Sequence, residues 1–440
     1  MERERLCSSG SAVNPKRNVI LPPPMKHSLA SLLLAGTALL PSLLATPARA
    51  ATTVLHNFIG GISDGATPEG SLTLSGTKLY GMTSSGGFGN GVIFSMNTDG
   101  TGFRLLNIFG QSDTGIQPYG SLTLSDTKLY GMTQEGGGSN RGEIFSTNTD
   151  GSGFRILHTF TAATTDGALP YASLTLSGTK LYGMTANGGS NDRGTVFGMN
   201  VDGSGFSLLR SFSGADGANP QGSLTLSGTK LFGMTTQGGT RGAAGTIFSM
   251  NTNGTGHTVL HSFGVDALDG YFAPGSLTLS GSKLYGMTTS GGSANSGTIF
   301  AMNLDGSGYT MLHSFAGGAG DGAYPSGSLT LVGTTLLGMT LRGGATNSGA
   351  LFGIGTDGSG FQLLDSFAGA PADGANPRYG HLTLSDNKLT VYGMTRSGGS
   401  ADQGVIFSRA IGSVPEPGTW ITGIALCLSA LLSRRRNARM

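Results

Sequence analysis

Seven times along the chain a run close to Ser-Leu-Thr-Leu-Ser-Gly-Thr-Lys-Leu-Tyr-Gly-Met-Thr returns, with apolar and polar residues alternating on either side of a short turn. Alternation of period two around a two-residue turn predicts a β-hairpin. In the second copy the hairpin is Ser121–Ser125, an Asp126-Thr127 turn, and Lys128–Thr133. A Gly136-Gly137 loop then leads to a third predicted strand at Gly142–Asn148, and an Asn-Thr-Asp-Gly-Ser-Gly turn to a fourth at Phe154–Phe160. Asp166-Gly167-Ala168-Leu169-Pro170 carries the chain into the next copy, the Asp-Gly supplying positive φ and the Pro blocking ladder pairing. Each unit is therefore a four-stranded antiparallel sheet.

The period names the architecture. The Gly of Tyr-Gly-Met-Thr or its variants falls at Gly81, Gly131, Gly183, Gly233, Gly286, Gly338 and Gly393, spacings of 50, 52, 50, 53, 52 and 55. Several strands per unit at this period predict an all-β, seven-bladed β-propeller. The frame says how the ring closes. The first fourth-strand motif, Val54–Phe58, precedes the first hairpin, and none follows the last third strand at Gly404–Arg409. The N-terminal strand is thus expected to complete the seventh blade, leaving no open edge. Residues 51–411 supply about 52 residues per blade, which leaves no room there for a second domain.

Composition supports an ordered ring. The chain has 78 Gly in 440 residues, but they recur at hairpins and double-Gly loops, unlike those of a disordered Gly-rich segment. The recurring Leu, Tyr or Phe, Met and Ile/Val-Phe positions provide faces to bury between neighbouring blades. Residues 51–413 contain no Cys and carry 16 Lys and Arg against 21 Asp and Glu, a net charge of −5. That balance lacks a nucleic-acid footprint, and no disulfide, thiol nucleophile or Cys metal site is available in the ring.

The ends read as address labels. Residues 1–24 form a polar leader that ends in three prolines, so that Met25 is the expected start. Residues 25–50 have the basic, apolar and small-residue regions of a secretory signal, with Ala48 and Ala50 at the cleavage site for a signal peptidase. Residues 412–440 hold Val414-Pro415-Glu416-Pro417, an apolar run at Thr419–Ser433 and Arg434-Arg435-Arg436. Fifteen helical residues rise about 22 Å, short of the roughly 30 Å hydrocarbon core, so the run is a marginal permanent membrane span. This tripartite end resembles the PEP-CTERM sorting signal of Gram-negative bacteria. The resemblance implies processing by an exosortase-type membrane protease, membrane contact before processing, and residence at the envelope surface or in the extracellular matrix. An uncut membrane anchor is the alternative.

The repeats at 52–409 resemble the GloVer tandem repeats of bacterial surface proteins with interchangeable anchors. Their double glycines also resemble kelch blades, but the kelch fourth-strand Trp is replaced by Phe103, Phe154, Phe206, His257, Tyr309 and Phe361. Only architecture carries over from that second likeness.

Three recurrent polar sets are candidates for chemistry. Asp99, Asp150, Asp202, Asp305 and Asp357 lack the distal acid of a calcium loop and read as hairpin-turn residues. His56, His158, His261 and His313 share one repeat position on separate blades and read as solvated outer-strand residues without a metal role. Asp64, Asp113, Asp166, Asp216, Asp269, Asp321 and Asp373 occur once per blade and read as scaffold. No nucleophile–base pair, paired carboxylate or P-loop spacing stands out, so neither a catalytic residue nor a cofactor is assigned.

A site for an asymmetric ligand must use positions that differ between copies. Such residues lie on the fourth-to-first and second-to-third strand connections: Tyr119, Tyr171, Tyr271, Phe272, Tyr324, Tyr379 and Arg378, with Glu69, Arg141, Arg193, Arg241 and Arg342 nearby. Aromatics beside polar groups suit sugar stacking or protein docking, and packing over neighbouring blades is the other use they could have. The expected function is a noncatalytic surface propeller that binds extracellular polysaccharide or an envelope protein. The alternative is a secreted hydrolase or lyase with its site at the axial mouth.

Overall fold

The computed structural model describes residues 51–111, 114–240, 244–266 and 268–411, and these build seven four-stranded antiparallel sheets. In the first blade the strands are Thr73–Ser75, Lys78–Thr83, Val92–Asn97 and Arg104–Ile108, from the axis outward. The same order repeats through the sixth blade. In the seventh, Thr383–Leu384, Thr390–Thr395 and Val405–Ala410 are joined by Thr53–Asn57 as the outermost strand, as the repeat frame predicts. Its register pairs Thr53 with Ser408 and Asn57 with Val405, and a bulge between Val54 and His56 matches those of the other six blades.

The apolar positions meet between blades. Tyr80, Met82, Ile93 and Phe109 of the first blade pack with Leu122, Leu129 and Phe145 of the second. The seam repeats this arrangement: Phe58 sits with Leu72, Leu79 and Phe94 of the first blade and Tyr392, Met394 and Ile406 of the seventh. The Gly of Tyr-Gly-Met-Thr leaves space for a ring of the third strand. At Gly131 a Cβ would lie 2.4 Å from the Phe145 ring, closer than any real Cβ contact. A burial pattern spread over seven interfaces needs no central core.

One turn differs from expectation. Gly167 of the Asp-Gly step is not left-handed; positive φ falls two residues later, at Leu169 (55°), and equivalently at Thr67, Gln117, Asn219, Phe272, Tyr324 and Asn376. Glycine is required at 167 by space, because a Cβ there would meet the Thr185 side chain at 2.5 Å. Close approach comes from a pairing that the repeat pattern does not reveal. Gly167–Ala168 forms a two-residue ladder with Asn187–Gly188, and Gly65–Ala66 does so with Ser85–Gly86. These ladders tie each incoming connection to the second-to-third connection of its own blade, and so hold both loop sets on one face of the ring.

Among the described residues no helix is long and apolar enough to cross a membrane. The sorting segment with Thr419–Ser433 and the signal region lie outside the described residues, as do Ala48, Ala50, Val414, Pro415, Glu416 and Pro417.

Phe58 is fully buried in the seam, whereas Leu389 is 49% exposed in the same blade. Phe58→Ala should lower stability in chemical denaturation by about 3–5 kcal/mol, as for other buried aromatic truncations. Leu389→Ala should change it by less than about 0.5 kcal/mol. Deleting Ala51–Phe58 should destabilise more than either, and an unchanged melting temperature would contradict closure by this strand.

Candidate functional site

The innermost strands join one another around the axis through side chains. Thr73 Oγ1 donates to Leu122 O at 2.5 Å in the next blade, and the same bond recurs from Thr123, Thr175, Thr225, Thr278 and Thr330 until Thr383 Oγ1 donates to Leu72 O at 2.5 Å. A second circle uses serines, Ser71 N–H donating to Ser121 Oγ at 2.7 Å and so on through Ser276 N–H to Ser328 Oγ. These strands line an axial channel of about 550 Å³. In the seventh blade His381 replaces the serine. Its backbone N–H donates to Ser71 Oγ at 2.7 Å, and its Nδ1 lies 2.7 Å from the same oxygen. The ring is exposed to the channel, and desolvation by the protein crowded around that channel lowers its pKa below that of an ordinary imidazole.

The residue two places before each of these serines, or before His381, stands on the connection that enters the channel mouth. Around the ring it is Glu69, Tyr119, Tyr171, Gln221, Pro274, Ser326 and Tyr379. The seventh blade has one extra residue here, and Arg378 precedes Tyr379. Four consecutive blades thus carry the chemically demanding side chains. Tyr119 and Tyr171 stack with centroids 5.5 Å apart, and the Arg378 guanidinium lies 4.6 Å over the Tyr379 ring with Nη2 donating to its hydroxyl at 2.9 Å.

Glu69 is the buried acid of this sector, only 2% exposed, and Arg396 Nε donates to its Oε1 at 2.7 Å. Burial pushes its carboxyl pKa up, against the pull of Arg378 and Arg396. Its other oxygen has no hydrogen-bond partner, and Gln221 Oε1, Ser326 Oγ and Asn376 Oδ1, on the same connections, are likewise buried and unpartnered. An unpartnered buried polar atom costs about 1–3 kcal/mol. The repeated Thr hydroxyls below them are all used. Burial also raises the phenol pKa values of Tyr119, Tyr171 and Tyr379, reinforced at Tyr119 and Tyr379 by Glu69 and at Tyr171 by Glu135. They stay neutral donors.

Of the sequence-predicted residues, Tyr119, Tyr171, Tyr379, Arg378 and Glu69 come together at this mouth. Tyr271, Phe272 and Tyr324 do not join them. Phe272 and Tyr324 occupy the left-handed position two residues upstream, and Tyr271 stands in a ladder with its hydroxyl on Asn295 Oδ1 at 2.6 Å. Arg141, Arg193 and Arg342 are exposed on the second-to-third connections, while Arg241 lies outside the described residues. Arg396, Gln221 and Ser326 were missed, although aligning the repeats as columns exposes them as places where otherwise identical copies disagree.

The repeated histidines are not solvated residues. His56, His158, His261 and His313 have side chains only 18–21% exposed and contact Asp64, Asp166, Asp269 and Asp321 at 3.0–3.3 Å. Each ring also stacks on an aromatic of the next blade, as His158 does on Phe206 with centroids 3.7 Å apart. The Asp in turn caps its own connection, Asp166 accepting from the N–H groups of Thr161 and Gly167. Asp113 lies outside the described residues. Asp150 closes its hairpin as expected, accepting from Ser152 N–H and Oγ. Among the described residues no three His, Cys, Asp or Glu converge as a metal site.

The model of the Gloeobacter/Verrucomicrobia repeat family matches residues 43–185 and 164–352. No curated protein matches the chain. Among solved structures, an oligogalacturonate lyase from Vibrio parahaemolyticus is 12% identical over 84% of this chain and 96% of its own, with a TM-score of 0.53. A nidogen/laminin complex is 16% identical over 57% of this chain and 81% of that one, with a TM-score of 0.39. At 12% identity the likeness to the lyase is one of fold.

The His–Asp pairs generate a pH prediction. Burial pushes the Asp166 carboxyl up, but hydrogen bonds from His158, Gly167 N–H and Thr161 outweigh it and leave the pKa below the ordinary value. A lowered native pKa contributes stability above the unfolded pKa of about 3.9, lost as pH falls through the native value. Asp166→Asn should therefore destabilise by on the order of 1 kcal/mol at neutral pH. Melting curves should show that difference shrinking below about pH 4; a constant difference down to acid pH would contradict the assignment.

Proposed function

As the chain belongs to the Gloeobacter/Verrucomicrobia repeat family and departs from its own repeat at the axial mouth, we propose that it is an exported, noncatalytic binding propeller that holds an extracellular glycan there. The observation that carries this reading is the contrast between two levels of one channel. Below, every Thr hydroxyl repeats and is bonded; above, the side chains differ from blade to blade, and Glu69 keeps a buried oxygen unpartnered in the sector that carries Tyr119, Tyr171 and Tyr379. Sugars supply both complements, hydroxyls for the polar atoms and C–H faces for the rings. A protein loop with similar chemistry is the competing ligand.

A glycan-array screen with the purified full-length chain tests this. Tyr119→Ala, Tyr171→Ala and Tyr379→Ala should each weaken glycan binding by on the order of 1 kcal/mol while leaving the melting temperature in place. Equal losses of stability and affinity would make the rings packing residues.

Glu69 supports a second reading. A buried carboxyl with a raised pKa, beside two guanidinium groups and a phenol, is suited to proton transfer, as a hydrolase or lyase would require. Release of new sugar ends from a bound oligosaccharide, abolished by Glu69→Gln, would favour it; an unchanged oligosaccharide favours binding.

The proposed route is signal peptidase cleavage after Ala50 and exosortase-type processing at the Val414–Pro417 motif, delivering the ring to the surface or matrix of a Gram-negative-type bacterium. Mass spectrometry of the envelope-derived protein should find Ala51 at the N-terminus and no Thr419–Met440. An intact tail on the surface pool would make the segment an anchor.

A further inference from the structure

Resting on the glycan reading, we infer that the sugar held at the mouth is acidic, a uronate-type unit whose carboxylate lies against Arg378 and Arg396 while its ring stacks in the tyrosine sector. The two guanidinium groups are only partly used by the protein. Arg378 donates from Nη2 to the Tyr379 hydroxyl, and Arg396 donates from Nε to Glu69 while its side chain stays 43% exposed. The remaining N–H groups have no protein acceptor among the described residues.

Position argues for the same ligand. Arg378 is the residue added in the seventh blade, and its charge acts on Glu69, Tyr119, Tyr171 and Tyr379 together, so it stands at the hub of the sector. A planar fork of donors matches a carboxylate through paired hydrogen bonds, which a neutral hydroxyl cannot reproduce. Glu69 would repel an acid if it stood alone, but its Oε1 is neutralised by Arg396 and burial favours its protonated form. Its unpartnered Oε2 is then free for a hydroxyl of the same sugar. The three phenols complete a site with donors, one acceptor and aromatic faces on one side of the axis.

The test compares galacturonate, glucuronate and mannuronate oligosaccharides with their own methyl esters, using calorimetry on the full-length chain. The acid form of at least one should bind about tenfold more tightly than its ester, with the advantage falling as salt rises. Arg378→Gln should remove about that tenfold, and Arg378→Lys should restore only part of it. Equal binding of acid and ester, still sensitive to Tyr119→Ala, would overturn the acidic ligand and leave the glycan reading in place. Binding of neither form, together with a blank neutral-glycan panel, would overturn both. Should Arg378→Gln fail to fold, the comparison of acid with ester on the unmodified chain decides.

Discussion

At Gly222 a side-chain carbon would lie 2.0 Å from the carbonyl oxygen of Gly275, and at Gly275 it would lie 2.1 Å from that of Gly327. The chain thus enters the channel with neighbouring blades touching backbone to backbone. The Thr-to-Leu circle just below depends on this approach, because its 2.5–2.7 Å bonds span successive blades and return from Thr383 to Leu72. Residues inside this zone vary little, with Ala172 in the glycine column and His381 in the serine column as the departures. Variation is displaced to the next available place, the position just before the glycine, and there Glu, Tyr, Gln, Pro and Ser appear in turn.

The outer layers serve the same geometry. Buried phenylalanines and methionines fill each wedge between blades, and the N-terminal strand supplies the last wedge, so the ring has no free seam. Outside the wedges, four His–Asp pairs and Arg210–Asp216 fix where five of the connections begin. Where the pattern changes, the electrostatics follow: Asp365 stands in the histidine place, and Asp373 is left with a raised pKa, through burial first and Asp365 in addition, against the N–H bonds of Gly374 and Ala368. With the inner ends of the connections held backbone to backbone, the mouth side chains stand on a rigid platform, which favours a site that is formed before its ligand arrives.

The blade, its four strands and the closing strand were legible because each is local or periodic. Val54–Phe58 could be recognised from its own five residues as a displaced fourth strand. The His56–Asp64 pair was not legible in the same way, since its meaning depends on Phe103 of the next blade. Positive φ was misplaced onto Gly167 because Asp-Gly is a common turn pair, whereas space around Thr185 is the reason for glycine there. At the mouth, aromatic residues drew notice and their columns did not. Tyr324 and Tyr119 look alike in a loop but stand two positions apart in the repeat, and the column marks Arg396 as a departure while its pairing with Glu69 across the seam gives that departure its meaning.

The central claim is that a nearly sevenfold scaffold presents a one-sided site. Hydrogen–deuterium exchange on the full-length chain, with and without a uronate oligosaccharide at saturating concentration, measures that asymmetry directly. The account predicts slowed exchange in 67–73, 117–121, 169–173 and 376–381, and none in the equivalent segments 219–223, 272–276 and 324–328. Protection spread evenly over all seven connections, or confined to the second group, would contradict it.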